Sequence, residues 1–517
     1  MQKVGRVYAV KRNLFSAIVG IFINILYSFV SRKIFVMTLG CELVGLGSLM
    51  GNMTAVLSLL DFGAGSALCF SLYAPLAKND TLKISAYLSF YRKLCIFSSS
   101  LTFVVGLFLL PYIKSTSDNL QSVTAFIIFL ASGFIGSIFS AEKILLFSDQ
   151  KNYITQTFSY VFGGIGVVVE SIVLICTKNY ILYLLISTAL CLIEDIAIVW
   201  YTRIKYPEIR FFGVKDKNVQ KKLFKEMIYI QPSNIAGTLL RTADNFLVVY
   251  LFGVATNGIY SNYNMILGYA SMLSVVLTGS VAATVGNIGA SESFENSERI
   301  FRMTSICSFF PVCICTCILF VMSGDIVTLW LDKTNAVNGN FSFILAFNFF
   351  IMGLKRSVSV FREGFGLYRK EKIKPFAELS MSLFLSVFFG KMLGLSGVYL
   401  GQGLAAFIVC IWYEPYILYK YGFSKSVIPY YLLMVKYFAT AAISCICAFV
   451  ICRYTVSFSF KALICTVLPL LFCIGAFYGR EELKDAVKYF VKNKKKSVFI
   501  KEYKPEKNEK HIFYRIF

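Results

Sequence analysis

The residues able to do chemistry in this 517-residue chain are charged side chains set into apolar runs. Arg241 and Asp244 stand three apart in Thr238-Leu239-Leu240-Arg241-Thr242-Ala243-Asp244-Asn245, a spacing that puts both on one helix face, where they can pair. Lys355-Arg356 fall late in another apolar run, Arg32-Lys33 follow the first, and Asp61, Glu170, Glu194-Asp195, Glu378, Glu414 and Lys436 fall within others. An ionised group at membrane depth costs about 3 kcal/mol or more unless it faces a cavity or a partner. Arginine presents a planar fork of donors that matches phosphate. Cations at Arg241, Arg356, Lys355 and Arg32 therefore suit an anionic cargo, whereas a carrier of organic cations would show carboxylates alone.

Other chemistries fail on residue type or spacing. The sole histidine is His511, in the tail, so histidine catalysis and histidine-based zinc binding have no residues to use. Cys313, Cys315 and Cys317 are two apart in an apolar helix, so their thiols point away from one another at each step and cannot converge on a metal. The fifteen cysteines read as small, soft, buried residues. Gly163-Gly164-Ile165-Gly166 lies inside an apolar span without the strand-turn-helix setting of a dinucleotide loop. Neither a Walker A sequence nor a nucleophile elbow occurs. The reading is of a protein that is not an enzyme and uses no cofactor and no metal.

The elements that must position these charges are membrane helices. Hydrophobic residues make up 57%, aromatics 16% and charged residues 15%, with mean hydropathy +0.68. Soluble domains carry about 25% charged residues, so the expected fold class is an all-α polytopic membrane protein. At roughly 20 residues per crossing, about fourteen transmembrane helices are expected, near 14–31, 44–72, 94–113, 122–141, 155–176, 181–201, 228–252, 258–284, 303–322, 341–359, 376–393, 396–418, 430–452 and 461–479. The stretch 44–72 is either one long helix or a helix broken at Asp61-Phe62-Gly63. The first span reads as a retained anchor, since no small-x-small cleavage site follows Lys3, Arg6, Lys11 and Arg12.

The net charge of +23 follows the same plan. With a cytoplasmic N-terminus, 39 Lys and Arg fall in inside segments and 8 in outside loops, as the positive-inside rule requires for cytoplasmic termini at both ends. Arg92 is counted in the inside segment 73–93. The basic charge sets orientation, and the tail around Lys492–Lys496 touches anionic lipid; it does not imply a nucleic-acid partner.

A repeat divides the spans. Gly40-Cys41-Glu42-Leu43-Val44-Gly45 and Gly253-Val254-Ala255-Thr256-Asn257-Gly258 share the spacing Gly-x4-Gly at an offset of 213, each after an apolar span and before a long one. Gly394 and Gly397 form a weaker relative. Six spans is an even number, so the halves run the same way through the bilayer. The expected organisation is an N-terminal lobe over 1–205, a C-terminal lobe over 206–420, two appended spans over 421–480 and a basic cytoplasmic tail over 481–517.

The opening Arg32-Lys33-Ile34-Phe35-Val36-Met37-Thr38-Leu39-Gly40, the run Leu57-Ser58-Leu59-Leu60-Asp61-Phe62-Gly63-Ala64-Gly65-Ser66-Ala67 and the block Asp244-Asn245-Phe246-Leu247 through Gly253, Gly258 and Tyr260 resemble the Wzx-type polysaccharide and O-antigen flippases. Those are lipid-linked oligosaccharide translocases of the multidrug/oligosaccharidyl-lipid/polysaccharide exporter superfamily. The resemblance implies that the chain moves undecaprenyl-pyrophosphate-linked oligosaccharide across the plasma membrane, with two lobes opening alternately. It implies a polyprenyl-pyrophosphate oligosaccharide as cargo, membrane lipid as surroundings, and a polysaccharide polymerase and glycosyltransferases as partners. Depth and charge then mark Arg241, Arg356, Lys355 and Arg32 for the headgroup, with Asp61 and Asp244 as ion-coupling groups or as counter-ions. The alternative is a cation-coupled multidrug exporter of the same superfamily. A membrane-embedded glycosyltransferase or polymerase would need a large extramembrane loop or an acidic/His cluster, and the sequence has neither.

Overall fold

A backbone immersed in hydrocarbon must satisfy its peptide groups within its own segment, and this chain does so by helix. The structure, a computed structural model, describes residues 2–480 except 62, 117–119, 292–293, 338–339, 366, 368–372 and 456, together with 483. The rest of the predicted tail, His511 included, lies outside the described residues. It is 90% helical and has no strand among the described residues. The first half holds α1 (Gln2–Leu57), α2 (Ala64–Lys78), α3 (Thr81–Leu107), α4 (Leu110–Thr116), α5 (Leu120–Ile138), α6 (Ser140–Ser148), α7 (Asn152–Thr177) and α8 (Tyr180–Lys205). The second holds α9 (Lys217–Ser291), α10 (Phe294–Trp330), α11 (Phe341–Gly364), α12 (Lys374–Leu393), α13 (Leu395–Val409), α14 (Tyr413–Ile417), α15 (Ile428–Cys452) and α16 (Phe458–Phe477).

Among the described residues, twelve helical stretches are long and apolar enough to cross a membrane. The difference from the expected fourteen lies in two elements. Val19–Asp61 runs 43 residues and Asn234–Met272 runs 39, and each contains one non-helical glycine, Gly40 (φ 84°, ψ 171°) and Gly253 (φ 82°, ψ 174°). A positive φ is open to glycine at little cost, which is why the repeat seen in the sequence falls on this residue. The alternative left open at Asp61 resolves as a break: a 3₁₀ turn over Ser58–Asp61 separates α1 from α2.

The surface is apolar where lipid would lie. Val161, Ile165, Val168, Ile172 and Ile175 form an exposed stripe at helical spacing along α7, and Ile428, Leu432, Val435, Ile443 and Ile446 do the same on α15. Inside, one core gathers α9 to α11 and α13 to α16 around Phe301, Phe309, Tyr399, Tyr419 and Tyr437. A second joins α1, α5 and α8, with Val249 and Val254 of α9 inserted into it. A third joins α2, α3 and α6 to Val219, Leu223 and Met227 at the start of α9. That one helix therefore begins in the first half's core and continues into the second's.

The halves meet most extensively between α1 and α9. A Cβ on Gly45 would stand 1.9 Å from the Val254 carbonyl oxygen, and one on Gly258 would stand 2.0 Å from the Cys41 carbonyl oxygen. Only glycine fits on either side of this crossing. Asn257 Nδ2 closes it by donating to the Gly45 carbonyl at 2.9 Å. Gly258→Leu is expected to force the two backbones apart at a cost of about 1–3 kcal/mol or more. Thermal unfolding of purified protein in detergent should show a clear loss of stability, while Gly136→Ala, with nothing within 4 Å of its Cβ, should leave it unchanged or raised.

Candidate functional site

Beside this crossing, α1, α5, α7, α8 and α9 enclose a cavity of about 680 Å³. Its α1 wall follows helical spacing: Asn24, Ser28, Ser31 and Phe35 before the Gly40 break, then Val44, Ser48 and Asn52 after it. From α8 come Tyr180, Tyr183, Ser187 and Thr188, and from α9 Ser261 and Met265. Hydroxyls and amides thus dominate the polar wall, with tyrosine rings between them. The first part of α1 is held in place from two sides. Tyr160 of α7 donates to the Ser16 carbonyl at 3.2 Å, and Trp330 Nε1 of α10 donates to the Phe29 carbonyl at 2.9 Å.

Among the described residues lining the cavity, Arg32 carries the one charged side chain. It is half-buried, and its Nη1 donates to Ser261 Oγ of α9 at 3.5 Å. Tyr183, Cys41 and Tyr269 are its other polar neighbours. On the opposite side of the crossing, Ser48 Oγ donates to Asn245 Oδ1 at 3.0 Å. A guanidinium in a wall with seven serine and threonine hydroxyls and three tyrosines can bind an oxygen-rich anion: the charge takes the anionic oxygen, and the hydroxyls take its polyol.

Glu170 of α7 stands just behind this wall, hydrogen-bonded to Ser187 and close to Tyr183; the remaining sequence-predicted headgroup and coupling residues lie elsewhere. Arg241 is exposed on α9 and donates to Thr238 at 3.3 Å. It makes no ion pair with Asp244, contrary to the expectation from their spacing, because Asp244 is turned inward. Asp244 is 7% exposed, beside Gln402, which donates to Tyr260 and accepts from Asn348 Nδ2 at 3.2 Å. Asp61 sits half-buried at the α1–α2 break, beside Ser98 of α3.

Lys355 does not face a cavity as a free cation. It pairs with Glu378 at 2.5 Å and approaches Glu414 at 3.9 Å. Lys374 also pairs with Glu414 and lies 3.5 Å from Glu378, while Arg362 comes within 3.4 Å of Glu414 and Ser359 donates to it at 3.0 Å. This cluster ties α11, α12 and α14 together. Arg356, next to Lys355, is half-buried with its Nε unbonded among the described residues.

One buried pair was not legible in the sequence. Arg92, expected in a cytoplasmic segment, lies within α3, 2% exposed, paired to Glu142 of α6. The Phe212 ring sits 4.7 Å and the Phe211 ring 5.3 Å from its guanidinium carbon. No local pattern links residues fifty positions apart.

These clusters and Arg32 separate by function in a simple test. Glu414→Gln strips two or more buried cations of their shared carboxylate and should cost about 3 kcal/mol or more, seen as a large fall in thermal stability and protein level. Arg32→Ala, at a cavity wall where it makes one long neutral hydrogen bond, should leave the unfolding temperature within a few degrees.

Neither a family model nor a curated protein matches the sequence. Solved structures do match the fold. A lipid II flippase, MurJ, in an inward closed conformation superposes with a TM-score of 0.63 over 95% of this chain and 100% of its own, at 14% identity. An inward-facing multidrug resistance MATE transporter of the MOP superfamily gives 0.60 over 76% of this chain and 94% of its own, at 15% identity. A MOP superfamily transporter from Pyrococcus furiosus gives 0.58 over 81% and 96%, also at 15%. The chain is a multi-pass helical membrane protein with the fold of MOP superfamily transporters.

Proposed function

We propose that this protein flips a polyprenyl-pyrophosphate-linked oligosaccharide across the plasma membrane by alternating access, as Wzx-type flippases do for O-antigen, capsule or exopolysaccharide synthesis. The observation that carries the reading is Arg32, the one charged side chain among the described residues of a wall whose other polar groups are hydroxyls and amides, set among apolar side chains such as Phe35, Ile128 and Leu184. The similarity in fold to a lipid II flippase supports a lipid-linked cargo. A carrier of amphipathic cations would place carboxylates in the wall, and the cation there argues against the multidrug reading.

The physical problem is a pyrophosphate that hydrocarbon rejects. Arg32 replaces part of its hydration shell, the hydroxyl belt receives the sugars, and the prenyl chain stays in lipid. The two halves, 1–205 and 206–420, rock about the α1–α9 crossing to open the cavity to either leaflet. Arg241, exposed on α9, attracts the headgroup on its way in. Asp61 and Asp244 are the candidates for a coupling ion. Both termini face the cytoplasm, as the lysine and arginine distribution requires.

Complementation of a flippase-deficient strain tests this. The unaltered chain should restore surface polysaccharide. Arg32→Ala should reduce that rescue about tenfold or more at normal protein level, as expected for losing a charged hydrogen bond to the cargo. Arg32→Lys, a point charge without the bidentate fork, should retain an intermediate level, and Arg241→Ala should slow rescue without abolishing it. Full activity of Arg32→Ala, or drug efflux in place of polysaccharide rescue, would overturn the reading.

A further inference from the structure

The repeat offset of 213 relates more than the two glycines. Counted along the chain, Arg32, Cys41, Gly45 and Ser48 correspond to Asn245, Val254, Gly258 and Ser261. The contacts obey the same correspondence. Gly45 abuts the Val254 carbonyl as Gly258 abuts that of Cys41, and Ser48 bonds Asn245 as Ser261 bonds Arg32. The two hydrogen bonds are images of one another about an axis through the glycine crossing, each one turn from it.

They are not chemical equals. Ser48–Asn245 is neutral, 3.0 Å long, and its Asn245 is 5% exposed. The Arg32–Ser261 bond gives a guanidinium a single neutral acceptor at 3.5 Å, the outer limit of a hydrogen bond, and both residues line the cavity. Arginine has five N–H donors. A phosphoryl oxygen offers the same donors a shorter, charge-assisted and bidentate contact. Ser48 also lines the cavity, but its partner Asn245 is buried and neutral; of the symmetric pair, only the Arg32–Ser261 bond holds a charged donor for which an anionic cargo can compete.

We infer that Ser261 is an internal stand-in for the cargo's phosphoryl oxygen: it positions Arg32 in the cavity and yields it when a pyrophosphate arrives, so that cargo binding loosens α1 from α9 on that side of the crossing. The inference rests on the flippase reading above and adds to it the residue that sets cargo affinity and links it to movement of the halves. The contacts remaining between the helices include the glycine crossing, Asn257 to the Gly45 carbonyl, Ser48 to Asn245, Asn262 to Cys41 Sγ, and Tyr269 to Ser28 Oγ and to the Asn24 carbonyl at 3.3 Å. The halves loosen without separating.

The test measures binding of undecaprenyl pyrophosphate to the full chain in nanodiscs by native mass spectrometry, with the unphosphorylated alcohol as reference. Ser261→Ala removes the competitor and should tighten binding of the pyrophosphate about threefold or more, the size of one neutral hydrogen bond, with no change for the alcohol. A merely structural serine would give weaker or equal binding. Ser261→Thr should return the original affinity, Asn245→Ala should not tighten it, and Ser261→Asp, which gives Arg32 a permanent carboxylate, should lose binding tenfold or more. Hydrogen exchange in peptides covering 255–265 should rise with pyrophosphate in the unaltered chain and be raised without it in Ser261→Ala. If Arg32→Ala loses pyrophosphate binding while Ser261→Ala fails to tighten it, this inference alone falls. If Arg32→Ala binds as the unaltered chain does, the flippase reading falls with it.

Discussion

Two backbones touching at Gly45 and Gly258 set the geometry from which the rest follows. Each glycine faces a carbonyl of the opposite helix at a distance no Cβ could share, so α1 and α9 cross with nothing between them. Backbone contact of this kind drives helix association where lipid competes for every apolar side chain. The non-helical Gly40 and Gly253, five residues before each contact residue, turn the chain into the crossing at matching points. Helices so close at one point must splay away from it, and the space they leave beside the crossing is where the cavity lies.

Charge placement is the second constraint, and the chain meets it in three ways. Arg92–Glu142 and the cluster of Lys355, Lys374, Glu378 and Glu414 neutralise their charge locally and hold helices together. Such buried pairs are weak evidence for net stability but expensive to break, which suits elements that stay rigid while others move. Arg241 avoids the cost by staying exposed. Arg32 alone among these is half-buried in a cavity wall with a neutral partner. No local pattern in the sequence sorts the three arrangements, which differ in what packs around each cation.

That difference marks how far the sequence could be read. The class of fold, the glycine repeat and the even spacing of spans are written locally, because hydropathy and positive φ are properties of a short segment. The break at Asp61 was visible as an alternative for the same reason. Pairing was not. The spacing of Arg241 and Asp244 allows an ion pair, yet Asp244 turns to Gln402, more than 150 residues away, and Lys355 finds Glu378 and Glu414 on other helices. The hydroxyl belt was equally silent, since serine and threonine in apolar helices commonly bond their own preceding turn, as Thr54 and Ser444 do here. Nothing in a serine's neighbours along the chain separates that use from lining a cavity.

As the proposed flippase, the protein has a further reason to hold one arginine among hydroxyls rather than a cluster of cations. Alternating access returns the cargo to water or to another protein at the far side, so the site must release what it holds. Binding that is equally strong in every conformation shifts no equilibrium. Several buried arginines would grip a pyrophosphate in both orientations of the halves and would also need counter-ions when it leaves, as Glu414 supplies for Lys374. A single guanidinium with a serine across the crossing needs neither. Ser261 belongs to the other half of the molecule, so in the proposed alternating access its distance from Arg32 would change as the halves move, and the competition between serine and phosphate with it. The proposed function accounts for the same asymmetry, in which the repeat keeps glycine at its crossing in both halves but places arginine at 32 and asparagine at 245: a pivot would be symmetric, and a hold on the cargo would not.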